Sequence, residues 1–205
     1  MNFNMDLWET TEAKEFGEVE RLELGGHEVV IRDAREYTSE TSGNTSLRIC
    51  VDIGGNDKQK GFFQRQFDEN TSASKKWSNG ATKYVSLKDE QIAYLKGTIT
   101  ALEKSNPSFK FNTKGTWEQL KGLKLAGVFG LEEYEKEDGS IGTATKLVQF
   151  RSLDKLNEIK VPKVKLLSGE FMDYEEYKNK PQSNTATDVF GSGVVEVSEN
   201  LPFEI

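Results

Sequence analysis

KDEQIAYLKGTITALEKSNP, residues 88–107, decides how the rest of the chain is read. Ile92, Leu95, Ile99 and Leu102 recur three or four residues apart, the spacing that lines one face of an α-helix. Asp89 and Glu90 stand near the start, where carboxylates suit the positive end of the helix dipole. Asn106-Pro107 stops it. Gly97 weakens the middle by about 1 kcal/mol relative to alanine.

The flanks of this helix read as strands. Upstream, Gly25-Gly26 punctuates and HEVVIRDAREY (27–37) gives a first strand. A polar loop over 38–45 leads to SLRICVDI (46–53). There Leu47, Ile49, Val51 and Ile53 alternate with Arg48, Cys50 and Asp52, the pattern of a half-buried strand. KGFFQRQF (60–67) is expected as the third strand, with Phe63 and Phe67 on one face, Arg65 between them, and Phe62 opposite. Residues 68–87 read as a long polar loop carrying Trp77 and Tyr84. Downstream, LKLAGVFGLEEYE (123–135), a turn over 136–142 and TATKLVQFRS (143–152) make a hairpin of strands four and five. Three strands, a helix and two strands is the order of a five-stranded Greek-key OB-like barrel, placed over residues 25–160 in a mainly β chain. The rival is an α+β sheet with a covering helix. Residues 1–24 read as an acidic N-terminal arm, and 161–205 as an extension ending in a flexible acidic tail.

Charge is segregated. The chain has a net charge of −7, but residues 1–57 carry −8, 58–124 carry +7, 125–166 balance, and 167–205 carry −6. A basic middle between acidic ends points to a local positive patch on an acidic protein. No stretch reads as a membrane span or a leader, so a cytoplasmic protein is expected. The single cysteine, Cys50, reads as a packed residue of a strand, not a nucleophile. One histidine, His27, reads as a surface or capping residue, and one Cys with one His makes no zinc set. GSIGTATK (139–146) lacks phosphate-loop spacing and sits in a hairpin. No nucleophile has a base beside it. The chain is therefore expected to be no enzyme and to need no cofactor or metal.

Aromatic residues are interleaved with cations in the middle block. Unpaired bases offer faces on which rings stack, at about 1–3 kcal/mol per base, and lysine or arginine neutralises the phosphates. On an OB-like barrel the usual platform is strands two and three with adjoining loops. The candidate nucleic-acid-binding residues are Arg48, Phe62, Phe63, Arg65 and Phe67, then Lys75, Lys76, Trp77, Lys83 and Tyr84. Phe109, Phe111 and Trp117 flank the helix end and are read as packing against it.

Ordered stretches also carry a family resemblance. EFGEVERLELGGHEVVI, GFFQRQF, LKGTITALEKSNPSFKFN, LKGLKLAGVFGLEEYEKEDGS and VQFRSLDKLNEIKVP resemble phage and prophage proteins encoded among replication and recombination genes. That family is regarded as single-stranded DNA-binding. The likeness runs over about residues 14–165 and implies binding of unpaired DNA without naming the residues that do it. The end of the chain, ENLPFEI, is similar to the acidic tail with an apolar tip that closes bacterial single-stranded DNA-binding proteins. Glu196, Glu199, Leu201, Pro202 and Phe203 match, while Glu204 and Ile205 follow the phenylalanine. The likeness implies that Glu199, Leu201, Pro202 and Phe203 recruit replication or recombination partners. The expectation is a non-catalytic single-stranded DNA-binding protein, working in the host cytoplasm if phage-encoded. The alternatives are a scaffold with the same barrel and no DNA, and a metal-dependent nuclease using an acidic pair such as Glu132-Glu133.

Overall fold

Residues 46–53 follow their alternation. In the computed structural model, which describes residues 20–180, Leu47, Ile49, Val51 and Ile53 are at most 2% exposed on one face of β2 (Thr45–Ile53). Antiparallel neighbours point their side chains to the same face, so β2 aligns the core of the strands beside it. β1 (Gly25–Thr38) contributes Val29 and Ile31, and β3 (Thr82–Ser86) contributes Val85. Beyond β1, β4 (Lys124–Glu135) adds Leu125 and Phe129, and its hairpin partner β5 (Ile141–Arg151) adds Leu147. Each such side chain removed from water contributes roughly 1.5–3 kcal/mol.

The result is mainly β: a single open sheet of seven strands in the order β3-β2-β1-β4-β6-β7, with β5 on β4. Among the described residues no hydrogen-bonded ladder joins β3 to β5, so the barrel is not closed. Among the described residues three α-helices accompany the sheet: α1 (Phe62–Glu69), α2 (Ile92–Ser105) and α3 (Tyr174–Asn179). α2 is the helix expected from residues 88–107. It buries Leu95 and Leu102, half-buries Ile99, and leaves Ile92 exposed. Asn106 ties its end to β4: the side-chain amide donates to Leu102 O and Lys124 O, and Oδ1 accepts from Lys124 N at 3.1 Å.

Residues 60–67 correct the expectation of a third strand. They turn at Gly61, which adopts a left-handed φ of 71°, and enter α1. The buried carboxylate of Asp52 accepts from the first free amides of the helix, Phe63 N at 3.0 Å and Gln64 N at 3.4 Å. A helix lets the adjacent Phe62 and Phe63 both reach the core, which a strand cannot do. The third strand is instead Thr82–Ser86, inside the stretch expected as loop. Gly80 brings that loop against β5: a Cβ there would lie 2.6 Å from the carbonyl oxygen of Thr145. Gly80→Ala is therefore expected to force the two edges apart and cost about 1–3 kcal/mol, read by urea unfolding.

The sheet also continues past residue 160. β6 (Val164–Lys165) lies parallel to β4 with Val164 fully buried, and pairs with β7 (Phe171–Met172). α3 follows, with Tyr177 hydrogen-bonded to Glu133 of β4. Of the acidic N-terminal arm, residues 1–19 lie outside the described residues. Leu22 is already part of the core.

Candidate nucleic-acid interface

Strict alternation along β1 would put Asp33, Arg35 and Tyr37 on the same face as the buried His27, Val29 and Ile31. A β-bulge prevents this. Ile31 pairs with Val51 but Asp33 pairs with Cys50, so Arg32 is an extra residue on β1. One added residue reverses every later side chain. Ala34 turns in and is buried, and Arg35 and Tyr37 turn out. On that outer face Arg35 stands opposite Arg48, and Arg48 opposite Tyr84, in one row across β1, β2 and β3. Tyr37 stands opposite Ser46. The rings of Tyr37 and Tyr84 meet across β2 with centroids 5.3 Å apart and planes 56° apart.

Both tyrosines are accessible, at 43% and 45% exposure. Arg35 pairs with Asp33 at 3.1 Å at the surface, a contact worth little against solvent. Arg48 has no acidic partner among the described residues. The outer face of β1–β3 thus presents two rings with two guanidinium groups beside them, one of them uncommitted.

Two residues further along β2 this face is covered. Cys50 and Thr82 are buried opposite one another, and Thr82 Oγ1 donates to Ser78 O at 2.9 Å. The loop before β3 carries Lys75 and Lys76, both exposed. Trp77 anchors the loop. Its indole N–H donates to Val51 O at 3.1 Å, and its half-buried ring packs on Phe67 at 5.7 Å. Lys75 Nζ lies 4.6 Å from the centroid of the Phe67 ring.

On the other side, along the free edge of β3, runs a groove of about 1050 Å³ between β3, α2 and the end of β5. Lys83, Tyr84, Tyr94, Lys104, Arg151 and Lys155 are among its lining. Lys83 stands opposite Ile49, so it leaves β3 on the core side. Burial lowers its pKa from the ordinary lysine value; Glu132 opposes that shift and Lys165 adds to it. With a folded pKa below the unfolded one, the charged amine disfavours folding at neutral pH, and the cost vanishes as pH rises to the ordinary lysine range. Lys83→Met is therefore expected to raise the melting temperature at pH 7 and to lose that advantage near pH 10, read by circular dichroism.

The expected site residues divide three ways. Arg48 and Tyr84 come together on the outer face and Lys83 lines the adjoining groove, while Lys75 and Lys76 are exposed on the loop before β3, Lys75 over the Phe67 ring. Phe62 and Phe63 are corrected: each is 4% exposed, Phe63 stacks on Phe129 at 5.8 Å, and neither can reach a base. Phe67 and Trp77 serve the loop anchor, and Arg65, on α1, donates to Lys60 O. Glu199, Leu201, Pro202 and Phe203 lie outside the described residues. Arg35 and Tyr37 were not expected. The signal for them is the broken alternation of VVIRDAREY (29–37), where the apolar positions 29, 31 and 34 change phase. Phe109, Phe111 and Trp117, read as packing against the helix end, are partly buried against the core cluster, with Phe111 and Trp117 stacked at 5.7 Å.

Other candidates are occupied by the fold. His27 is 4% exposed, not at the surface; its ring nitrogens meet Asp57 Oδ2 at 3.0 Å and Glu23 O at 2.9 Å. Glu132 pairs with Lys165, and Glu133 accepts from Leu167 N at 2.9 Å, so both carboxylates hold the β6–β7 hairpin. Among the described residues no three His, Cys, Asp or Glu side chains gather as a metal centre, and no helix is long and apolar enough to cross a membrane. No known family model matches the chain, and no curated protein matches it.

Proposed function

We propose that this protein binds single-stranded DNA without catalysis, on the outer face of β1, β2 and β3, in phage-type replication or recombination. The carrying observation is the exposed Tyr37–Tyr84 pair with Arg48 and Arg35 in the same row. The rings supply stacking surfaces for bases of any identity, and the guanidinium groups supply phosphate contacts. The connectivity supports an OB-like reading of the barrel. β1–β3 form a meander, β4 returns to pair with β1, β5 pairs with β4, and α2 lies between β3 and β4. What an OB barrel would add is a β3–β5 ladder, and Gly80 already brings those edges together at one end. The acidic tail with Glu199, Leu201, Pro202 and Phe203 recruits a partner protein in this proposal, tethered so that its loss leaves DNA binding in place.

The scaffold reading draws on a different observation. Leu167 and Phe171 on the β6–β7 hairpin are 48% and 65% exposed, an apolar surface suited to protein contact. One titration separates the readings. DNA binding predicts association with oligo-dT that weakens steeply between two salt concentrations and leaves the strand intact with or without magnesium. A scaffold gives no salt-sensitive binding to any oligonucleotide, and a nuclease gives magnesium-dependent loss of the strand.

A further inference from the structure

The tyrosine platform leaves the groove beside it unused. Four cations line that groove, Lys83, Lys104, Arg151 and Lys155, and no carboxylate does. Acidic groups lie nearby: Glu132 acts on Lys83, Asp154 interacts with Lys104 and Lys155, and Glu158 pairs with Lys155 at 3.1 Å. Lys104 and Arg151 have no ion-pair partner among the described residues. The α2 side of the groove is poor in side chains where Ala93, Gly97 and Ala101 follow one another at one-turn spacing. At Gly97 a Cβ would meet nothing within 4 Å. A mid-helix glycine costs about 1 kcal/mol relative to alanine, and no neighbour among the described residues requires it to be small. Among the described residues β3 pairs only with β2, so the backbone groups of its other edge also face this space.

We propose that this groove is a second subsite, which takes the sugar-phosphate backbone of single-stranded DNA as the strand passes from the Tyr37–Tyr84 platform over the edge of β3. The inference rests on the proposed function. Tyr84 belongs to both surfaces, so the two are continuous. The lining favours backbone over bases. Its cations and the side-chain amide of Gln149 suit phosphate oxygens, while the hydroxyls of Thr98 and Thr100 donate to carbonyls of α2, and Phe150 is too buried to stack. Tyr94, at 75% exposure, leaves one ring for a base leaving the groove.

Full-length protein is titrated with oligo-dT of about four nucleotides, enough for the platform, and of about twelve, enough for both subsites. Gly97→Trp fills the groove from an exposed helix position, and Lys104→Glu with Arg151→Glu reverses two of its four cations, cancelling its net positive charge without touching the platform. Both variants are expected to lose about tenfold or more in affinity for the longer strand and to bind the short one as wild type does. The charge-reversed variant is also expected to show a shallower salt slope, by roughly 1.4 in log–log units for two lost phosphate contacts. Should Gly97→Trp fail to fold by circular dichroism, the charge reversal alone decides. Wild-type affinity for the longer strand in the folded variants overturns the groove while leaving the platform standing. Wild-type protein that binds neither strand overturns the proposed function, and the groove with it.

Discussion

Arg48→Glu combined with Tyr84→Ala is expected to reduce affinity for oligo-dT by about 100-fold or more while the protein stays folded. Stacking of one base on an aromatic ring contributes about 1–3 kcal/mol. Removing Tyr84 also deprives Tyr37 of the ring it leans on at 5.3 Å. Arg48 lies in the same cross-strand row, and glutamate there replaces attraction to phosphate with repulsion. Together these exceed the roughly 2.8 kcal/mol that a hundredfold change requires. Stability is little affected, because Tyr84 is 45% exposed and Arg48 has no acidic partner to lose among the described residues. The readouts are fluorescence anisotropy for binding and circular dichroism for the fold. Retained affinity in a folded double variant would remove the platform from the mechanism.

Asp52→Ala is expected to be the most destabilising of the substitutions considered, at about 3 kcal/mol. Asp52 is 5% exposed, and its Oδ1 accepts from Ile53 N at 2.9 Å as well as from Phe63 N and Gln64 N. Alanine leaves the α1 amides without their acceptor and frees the turn that delivers Phe62 and Phe63 to the core. Asp52→Asn keeps an acceptor oxygen without the charge, so it is expected to recover part of the loss. Urea unfolding measures both. For a domain of this size the alanine variant should melt about 6–12 °C lower. An unchanged midpoint would mean that α1 does not depend on this carboxylate.

The parts legible in the sequence are those whose pattern is local and long. The alternation over 46–53, the apolar spacing around Leu95 and Leu102 and the hairpin around residues 136–142 each became the expected element. The third strand failed for a tertiary reason. FFQRQF alternates well enough for a strand, but Asp52, ten residues earlier than Phe62, supplies an acceptor that only a helix start can use. The true β3 is five residues long with one buried aliphatic side chain, Val85, too brief to stand out among its polar neighbours. The site was legible to the same degree. Arg48 could be placed because β2 alternates cleanly, and Tyr84 because an aromatic in a polar stretch is hard to explain by packing. Arg35 and Tyr37 depend on a bulge at Arg32, a pairing property that one strand read alone does not display. Trp77 looked available for the reason that singled out Tyr84, yet its indole is bonded to the backbone of β2.

Ultraviolet cross-linking of oligo-dT to the wild-type protein, followed by peptide mass spectrometry, asks directly where an unpaired strand lies. The expected adducts fall on the peptides carrying Tyr37 and Tyr84, and they fade as salt is raised. Adducts confined to other peptides, or none at a protein concentration that saturates binding, would contradict a DNA-binding face on β1, β2 and β3.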